Sequence, residues 1–323
     1  MKRLFITGET GFVGKSFFAA SDIVRAAGWE LIPAGMKYDL LDPASLDRVL
    51  DGARPDGIIH LAGQSFVPEA IKNPEQTLMV NLVGTLHLLQ AMKRNDFRGD
   101  FLYVSSSDVY GPIAPEALPI QETHPANPQN PYAVSKAAAE LLCYQWSCVE
   151  PWRIIIARPF NHIGPGQRKD FIIPCIALAI ARIKLGLRDS KIEVGNIDVT
   201  RDFLDVHDLI RAYLSLLTSG ENGEIYNVCS ERDSLIRDMI SKMVDISGVQ
   251  LEIVYDPARF RPSDQKHVRG SCAKIFNATG WQPQIPIEQS LRNILTDWER
   301  KERLAMINSQ QADKIGPMTD SKD

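Results

Sequence analysis

The sequence is short of several things, and each shortage removes a class of protein. No apolar run is long enough to cross a bilayer. The longest, Phe171 to Ala181, contains Pro174 and stops at Arg182, well below the ~20 residues a membrane helix needs. Positive charge is not in excess: Lys+Arg 36 stand against Asp+Glu 40, a net charge of −4. A broad basic surface for nucleic acid is therefore not expected. Cysteine is scarce and unpatterned, with five residues and no Cys-x-x-Cys pair. That argues against a disulfide framework and points to reduced thiols in the cytoplasm. His162 and His207 lack paired ligand spacing, so no metal is expected. The stretch Met1–Thr7 reaches a glycine turn too soon to hold a signal peptide. What remains is 323 residues of globular composition, 44% hydrophobic and 24% charged, enough for one large domain or two moderate ones.

The first half alternates short apolar runs with helical patterns. Strands are predicted at Lys2–Thr7, Glu30–Ala34, Gly57–Ala62, Asp100–Ser105 and Arg153–Arg158, and helices at Phe12–Ala27, about Glu75–Arg94, and Pro131–Val149. Near-continuous apolar strands separated by helices predict an α/β fold, a doubly wound parallel sheet covered on both faces. After Arg158 the pattern loosens. Helices are expected near 171–185, 206–219, 233–247 and 288–302, and short strands near Lys191–Val194, Ile225–Cys229 and Leu251–Tyr255. The segment 305–323 is polar and is expected to be disordered.

Thr7-Gly8-Glu9-Thr10-Gly11-Phe12-Val13-Gly14 sits between the first strand and the first helix. Gly8 permits the tight turn, Gly11 lets backbone approach a pyrophosphate, and Gly14 lets helix pack on strand. The helix N-terminus then offers N–H groups to phosphate. Gly8, Thr10, Gly11, Phe12, Val13 and Gly14 are thus candidates for dinucleotide binding in a Rossmann-like domain. Residues 1–160 are expected to form that domain, completed by later segments, with 161–304 mainly a smaller, interleaved substrate-binding lobe. The second strand runs out through Pro33-Ala34-Gly35-Met36-Lys37 with no acid. An acid there would repel a 2′-phosphate and Lys37 would attract one, so NADP(H) is expected, with NAD(H) also open. Asp39 and Leu40 fit an adenine contact; alternatively Asp39 or Asp42 caps the next helix.

Tyr132 and Lys136 stand four apart and share one helical face. That spacing suits a phenol whose proton must be mobile, with the ammonium lowering its pKa and holding the nicotinamide ribose. Tyr103–Gly111 places the hydroxyls of Ser105, Ser106 and Ser107 at the carboxyl edge of the fourth strand, where open α/β sheets bind ligands.

At this point the chain resembles the extended short-chain dehydrogenase/reductases that act on nucleotide sugars. The resemblance runs from Lys2 to about Arg300. It is carried by Thr7–Gly14, His60-Leu61-Ala62-Gly63, Asn81-Leu82-Val83-Gly84-Thr85, Ser105–Gly111, Tyr132–Lys136, Arg158-Pro159-Phe160-Asn161 and Arg201-Asp202-Phe203. It implies that Ser106 is the catalytic hydroxyl, Tyr132 the acid/base and Lys136 its partner, and that Leu61, Ala62 and Gly63 join the cofactor site. Members of this family pair two helices per subunit into a four-helix bundle. A homodimer through 75–94 and 131–149 is expected, with Leu82, Leu86, Leu89, Ala137, Leu141 and Tyr144 at the contact.

Arg158–Gln167, Val194–Asp205 and Arg261–Asp264 are similar to the GDP-mannose branch. The resemblance implies that Ser106, Ser107, Asp108, Asn161, Arg201, Arg261, Ser263 and Asp264 bind a GDP-sugar. Arg201 and Arg261 would grip phosphate with a planar fork; the alternative is that they pair with Asp202 or Asp264. Position 108 separates the branch's activities. Its 4,6-dehydratases carry a glutamate there as carbon base, and its epimerase-reductases carry a cysteine. The absence of cysteine at 108 argues against epimerisation, while the Asp108 carboxylate does not by itself separate reduction from dehydration. The resemblance of Phe203–Val206, His162–Gln167 and Ala62–Ala70 to the branch's ketoreductases implies NAD(P)H-dependent conversion of the C4 ketone of GDP-4-keto-6-deoxy-D-mannose to GDP-D-rhamnose. GDP-mannose 4,6-dehydration is the alternative, and a non-catalytic NAD(P)-binding protein of the same fold the second.

Overall fold

The computed structural model describes residues 1–256 and 265–315. Five strands of the first half, β1 (Lys2–Thr7), β2 (Trp29–Ile32), β3 (Gly57–His60), β4 (Asp100–Val104) and β5 (Arg153–Pro159), join Ile225–Val228 in one parallel sheet. The order is Ile225–Val228, β5, β4, β3, β1, β2. Alternate residues along these strands feed two separate cores, because successive side chains point to opposite faces. Leu4, Ile6, Ile59, Leu102 and Ile155 lie in one core, and Phe5, Ile58, Phe101, Ile154 and Ile156 in the other. Strand addition reverses direction between β1 and β3. In open sheets that reversal opens a crevice at the carboxyl ends of the strands.

Two long helices of the sequence reading are interrupted. Phe12–Ala27 splits into Phe12–Ala19 and Ser21–Ala26, because Ala20 (φ −98°, ψ 32°) leaves the helical region. Glu75–Arg94 becomes Pro74–Leu78, a π-helical turn Met79–Val83, and Gly84–Arg94. A π turn inserts one extra residue per turn and often marks a functional position; here it carries Asn81. Pro131–Val149 forms over its expected length. Asn130 caps it by accepting from Ala133 N at 2.9 Å, and Pro131 takes the first turn, where its missing N–H is harmless. Leu141 and Tyr144 on this helix are 72% and 56% exposed. Leu89, expected at an intersubunit contact, is instead fully buried against Leu88 and Phe101, so it serves the fold of one chain.

The chain divides into two compact units. One comprises Met1–His162, Val199–Ser234 and Ser263–Ile285, the last described from Gln265. The other comprises Ile163–Asp198, Leu235–Pro262 and Pro286–Asp323, within its described residues. In the second unit Lys191–Val194 pairs in parallel with Glu252–Tyr255. Its helices Ile172–Lys184 and Ile287–Ile315 are cross-linked by Arg182–Glu302 and Lys184–Glu299, each at 2.8 Å. Ile287–Ile315 continues through residues 305–315, where the sequence reading placed a disordered tail. Of that stretch, Ala305, Ile307, Asn308 and Ser309 are exposed.

Gly14 shows how tightly the first turn is built. A Cβ there would stand 2.4 Å from Gly8 O and 2.6 Å from Glu9 Cα, both backbone. Gly14→Ala must push helix from strand and is expected to destabilise the protein by about 1–3 kcal/mol. An unchanged urea-unfolding midpoint would show that the helix can back away freely.

Candidate active site

The glycine turn occupies the crevice between β1 and β3. Gly8 is left-handed (φ +76°), and a Cβ there would meet Ala62 N at 2.8 Å, so the loops after β1 and β3 touch through glycine. Gly11 is the N-cap of Phe12–Ala19 and brings no side chain to it. The first N–H groups of that helix are therefore left for an anion. Two partners of this turn have no signal in the local sequence. Tyr38 accepts from Gly8 N at 3.1 Å, and Glu9 accepts from Ala34 N at 3.1 Å. An acid thus does reach the end of β2, but from the glycine turn rather than from the strand. Lys37 is exposed. Asp39 accepts from Leu41 N at 2.9 Å, and Asp42 caps Pro43–Ala53, accepting from Ala44 N at 3.1 Å.

Behind the turn runs a chain of buried polar groups. Thr7, His60 and Tyr103 are neighbours in register across β1, β3 and β4. Thr7 Oγ1 meets His60 Nδ1 at 2.7 Å and accepts from Ala62 N at 3.1 Å. His60 Nε2 meets Thr85 Oγ1 at 3.0 Å, and that hydroxyl donates to Asn81 O at 2.6 Å. One assignment satisfies every group: Nε2 carries the hydrogen and Nδ1 accepts from Thr7. Burial, with Lys136 nearby, holds the His60 pKa down at about 3, so the ring is a neutral connector. Asn81 accepts from Gln64 N at 2.8 Å, and donates to Gln64 O and to Ser135 Oγ, each at 2.9 Å. Ser135 in turn donates to Tyr132 O at 2.7 Å. The π turn at Asn81 thereby joins the loop after β3 to the helix that carries Tyr132. The sequence motif named Asn81, but no pattern within it disclosed these partners.

Tyr132, Lys136 and Ser106 come together at the carboxyl edge of β4. Ser106 caps the short turn Ser107–Tyr110, its hydroxyl accepting from Asp108 N at 3.2 Å, and it is hydrogen-bonded to Tyr132. Lys136 is 6% exposed. Its Nζ donates to Val104 O at 2.7 Å and lies 5.1 Å from the centre of the Tyr103 ring. Burial lowers its pKa to about 8, against the opposing pull of Cys143 and Glu140. The expectation that Lys136 brings the Tyr132 pKa down is not met in this arrangement. Burial raises the phenol well above its usual range, the Asp108 carboxylate adds to the rise, and the Ser106 hydrogen bond only partly opposes it. A side chain at Gly63 would reach 2.8 Å from Asn81 Oδ1 and 3.8 Å from Lys136 Nζ, so that loop too runs close to the site.

The other predicted residues are placed as follows. Leu61 and Ala62 are half-buried after β3; Ser107 is half-buried, and Asp108 and Asn161 are exposed. Arg201 is half-buried, with Nη1 donating to Thr200 O and Gln265 O, each at 2.8 Å. Asp202 serves backbone instead, accepting from Ser230 N, Ser230 Oγ, Glu231 N and Gly270 N. Arg261, Ser263 and Asp264 lie outside the described residues.

Comparison with known proteins narrows what this arrangement belongs to. The family model for GDP-mannose 4,6 dehydratase matches residues 34–294. The chain is 54% identical to GDP-6-deoxy-D-mannose reductase of Pseudomonas aeruginosa, over 94% of this chain and 99% of that one. It is 30% identical to GDP-6-deoxy-D-talose 4-dehydrogenase of Aggregatibacter actinomycetemcomitans, over 86% and 91%. The solved structure of the P. aeruginosa RMD complexed with NADPH superposes with a TM-score of 0.89, covering 93% of this chain and all of that one.

The buried ammonium makes stability depend on pH. An unfolded lysine keeps its proton to about 10.5, whereas Lys136 gives it up near 8. Between those values the unfolded chain binds more protons, so stability rises with pH; below 8 the full penalty, ~3 kcal/mol, is in force. Lys136→Met is expected to be more stable than wild type at neutral pH, by about 1–3 kcal/mol after loss of the Val104 hydrogen bond. The difference should shrink as pH climbs from 8 towards 10.5. Urea titrations across that range check it, and a pH-independent difference would contradict it.

Proposed function

The chain belongs to the GDP-mannose 4,6 dehydratase family, and from that premise we propose that it is an NADPH-dependent ketoreductase. It reduces the C4 ketone of GDP-4-keto-6-deoxy-D-mannose to GDP-D-rhamnose. The observation that carries this reading is the near-full-length identity with GDP-6-deoxy-D-mannose reductase, joined to a Ser106–Tyr132–Lys136 cluster at the mouth of the sheet.

The residues present fit a dinucleotide. The left-handed Gly8 and the open helix start at Gly11 form a cradle that side chains would fill, which suits a pyrophosphate against Gly8, Thr10, Gly11, Phe12, Val13 and Gly14. Leu61, Ala62, Gly63 and Tyr132 would also hold the cofactor, Lys136 would hold its nicotinamide ribose, and Lys37, Asp39 and Leu40 would meet its adenosine end. NAD(H) is the alternative cofactor. NADPH, when bound, supplies the hydride for the carbonyl carbon. Tyr132 gives its proton to the carbonyl oxygen as negative charge develops there. Its high resting pKa keeps it protonated, which a reductase requires of its acid. Ser106 donates to the same oxygen, so charge is met by a donor already in place. Asn161, Arg201 and Arg261 are assigned to the diphosphate and Asp264 to the ribose hydroxyls; Ser263 is assigned to the GDP-sugar, as are Ser106, Ser107 and Asp108. A 4,6-dehydratase reading rests on one observation, the Asp108 carboxylate close enough to raise the Tyr132 pKa.

NMR analysis of GDP-4-keto-6-deoxymannose incubated with NADPH tests the reading. GDP-D-rhamnose is the expected product. Its C4 epimer would show that hydride reaches the other face of the ketone, and conversion of GDP-mannose to the keto sugar would establish the dehydratase. Tyr132→Phe is expected to lower kcat by ~10²–10⁴ while leaving NADPH binding intact; near-native turnover would overturn its role.

The proposed assembly is a homodimer through the helical segments 75–94 and 131–149. Val134, Leu141 and Tyr144, with Met79 at the start of the π turn, present apolar surface that favours a partner. No helix among the described residues is long and apolar enough to cross a membrane. The five free cysteines accord with a reducing cytoplasm. Light scattering at micromolar concentration is expected to give twice the 36.1 kDa chain mass, and Leu141→Glu should return it to one. A wild-type particle of one chain mass would exclude the dimer.

A further inference from the structure

A buried ion pair stands one helical turn beyond Lys136. Glu140 accepts from Arg158 Nε at 2.9 Å and from Arg158 Nη2 at 2.6 Å, and both side chains are almost wholly buried. Tyr132, Lys136 and Glu140 follow one another at four-residue spacing and share a helix face. Arg158 is held from its other side as well. Its guanidinium lies 4.6 Å from the centre of the Tyr110 ring, and Tyr110 donates to Asn227 Oδ1 at 2.7 Å. Tyr110 ends the same short turn that Ser106 caps. Arg158 therefore touches both the helix of Tyr132 and the turn of Ser106.

The groups that face Lys136 are His60 from β3, Tyr103 from β4, and Tyr132, Glu140 and Cys143 of its own helix, with Arg158 of β5 behind Glu140. His60 is neutral because burial lowers its pKa; Tyr103, Tyr132 and Cys143 are neutral because burial raises theirs. Glu140 is thus the one carboxylate among these groups, and Arg158 its one ion-pair partner among the described residues. A buried carboxylate without that partner would draw the nearest ammonium.

We propose that Arg158 is a positioning residue for the reaction: its two-point grip on Glu140 keeps that carboxylate from capturing Lys136, so the ammonium stays at Val104 O beside Tyr132. This rests on the ketoreductase reading for its purpose, but not for its test. Trace labelling of the full-length protein with acetic anhydride, read by mass spectrometry of the Lys136 peptide across pH, reports the ionisation of Lys136 without cofactor or sugar. In wild type the midpoint is expected near 8. Glu140→Gln leaves the Arg158 cation, which cannot shed its proton, beside the ammonium, and should move the midpoint down by ~1 unit. Arg158→Leu leaves Glu140 free to pair with Lys136 and should move it up by ~1 unit. The double variant removes both charges and should return it to the wild-type value. A merely structural role would move both single variants in one direction; that result, or no shift in Glu140→Gln, would overturn the proposal. Glu140→Gln changes little in volume, so it decides the matter even if Arg158→Leu does not fold. Failure to reduce the keto sugar would sink the functional reading and leave these midpoints as they are.

Discussion

Taking the ammonium of Lys136 out of water costs several kcal/mol unless other groups replace the solvent, and the first unit is organised around that replacement. Val104 O accepts its proton at the carboxyl end of β4, and the Tyr103 ring lies beside it. Glu140, the carboxylate nearest in sequence, is occupied by Arg158. The result is a cation that is held but not neutralised. Such a cation can serve a ribose hydroxyl or a developing phenolate, whereas one locked in an ion pair cannot.

The same loss of solvent acts with opposite sign on the groups around it. It lowers His60 and Lys136, which are charged when protonated, and raises Tyr132 and Tyr103, which are charged when deprotonated. Tyr132 is therefore a reserve of one proton, while His60 is an uncharged link between Thr7 and Thr85. Burial, the largest influence on each, thus gives the phenol and the imidazole separate tasks.

The glycine turn follows β1 and Tyr132 sits on the helix Pro131–Val149, yet one hydrogen-bonded path connects them. It runs from Ala62 and Thr7 through His60 and Thr85 to Asn81, and from Asn81 through Ser135 to the backbone of Tyr132. Every member is buried or nearly so, and an unmade bond in such a place is expensive. The path ties the loops after β1 and β3 to the backbone of Tyr132.

Much of this was legible in the sequence because it depends on neighbours along the chain. Glycines three apart after an apolar strand, a tyrosine and a lysine four apart, and a proline behind an asparagine cap are local patterns. Strand, turn and helix follow from them with little reference to the rest. Tertiary structure alone decided the remainder. Glu9 reaching Ala34, Tyr38 reaching Gly8, Asn81 reaching Ser135 and Arg158 reaching Glu140 join residues that no short period relates. The direction of the Tyr132 pKa depended on them too. Spacing placed an ammonium one turn away, but the proton's affinity is set by how completely water is excluded and by which carboxylate stands nearest. Desolvation is a property of everything that surrounds a group, and only the assembled fold supplies those surroundings.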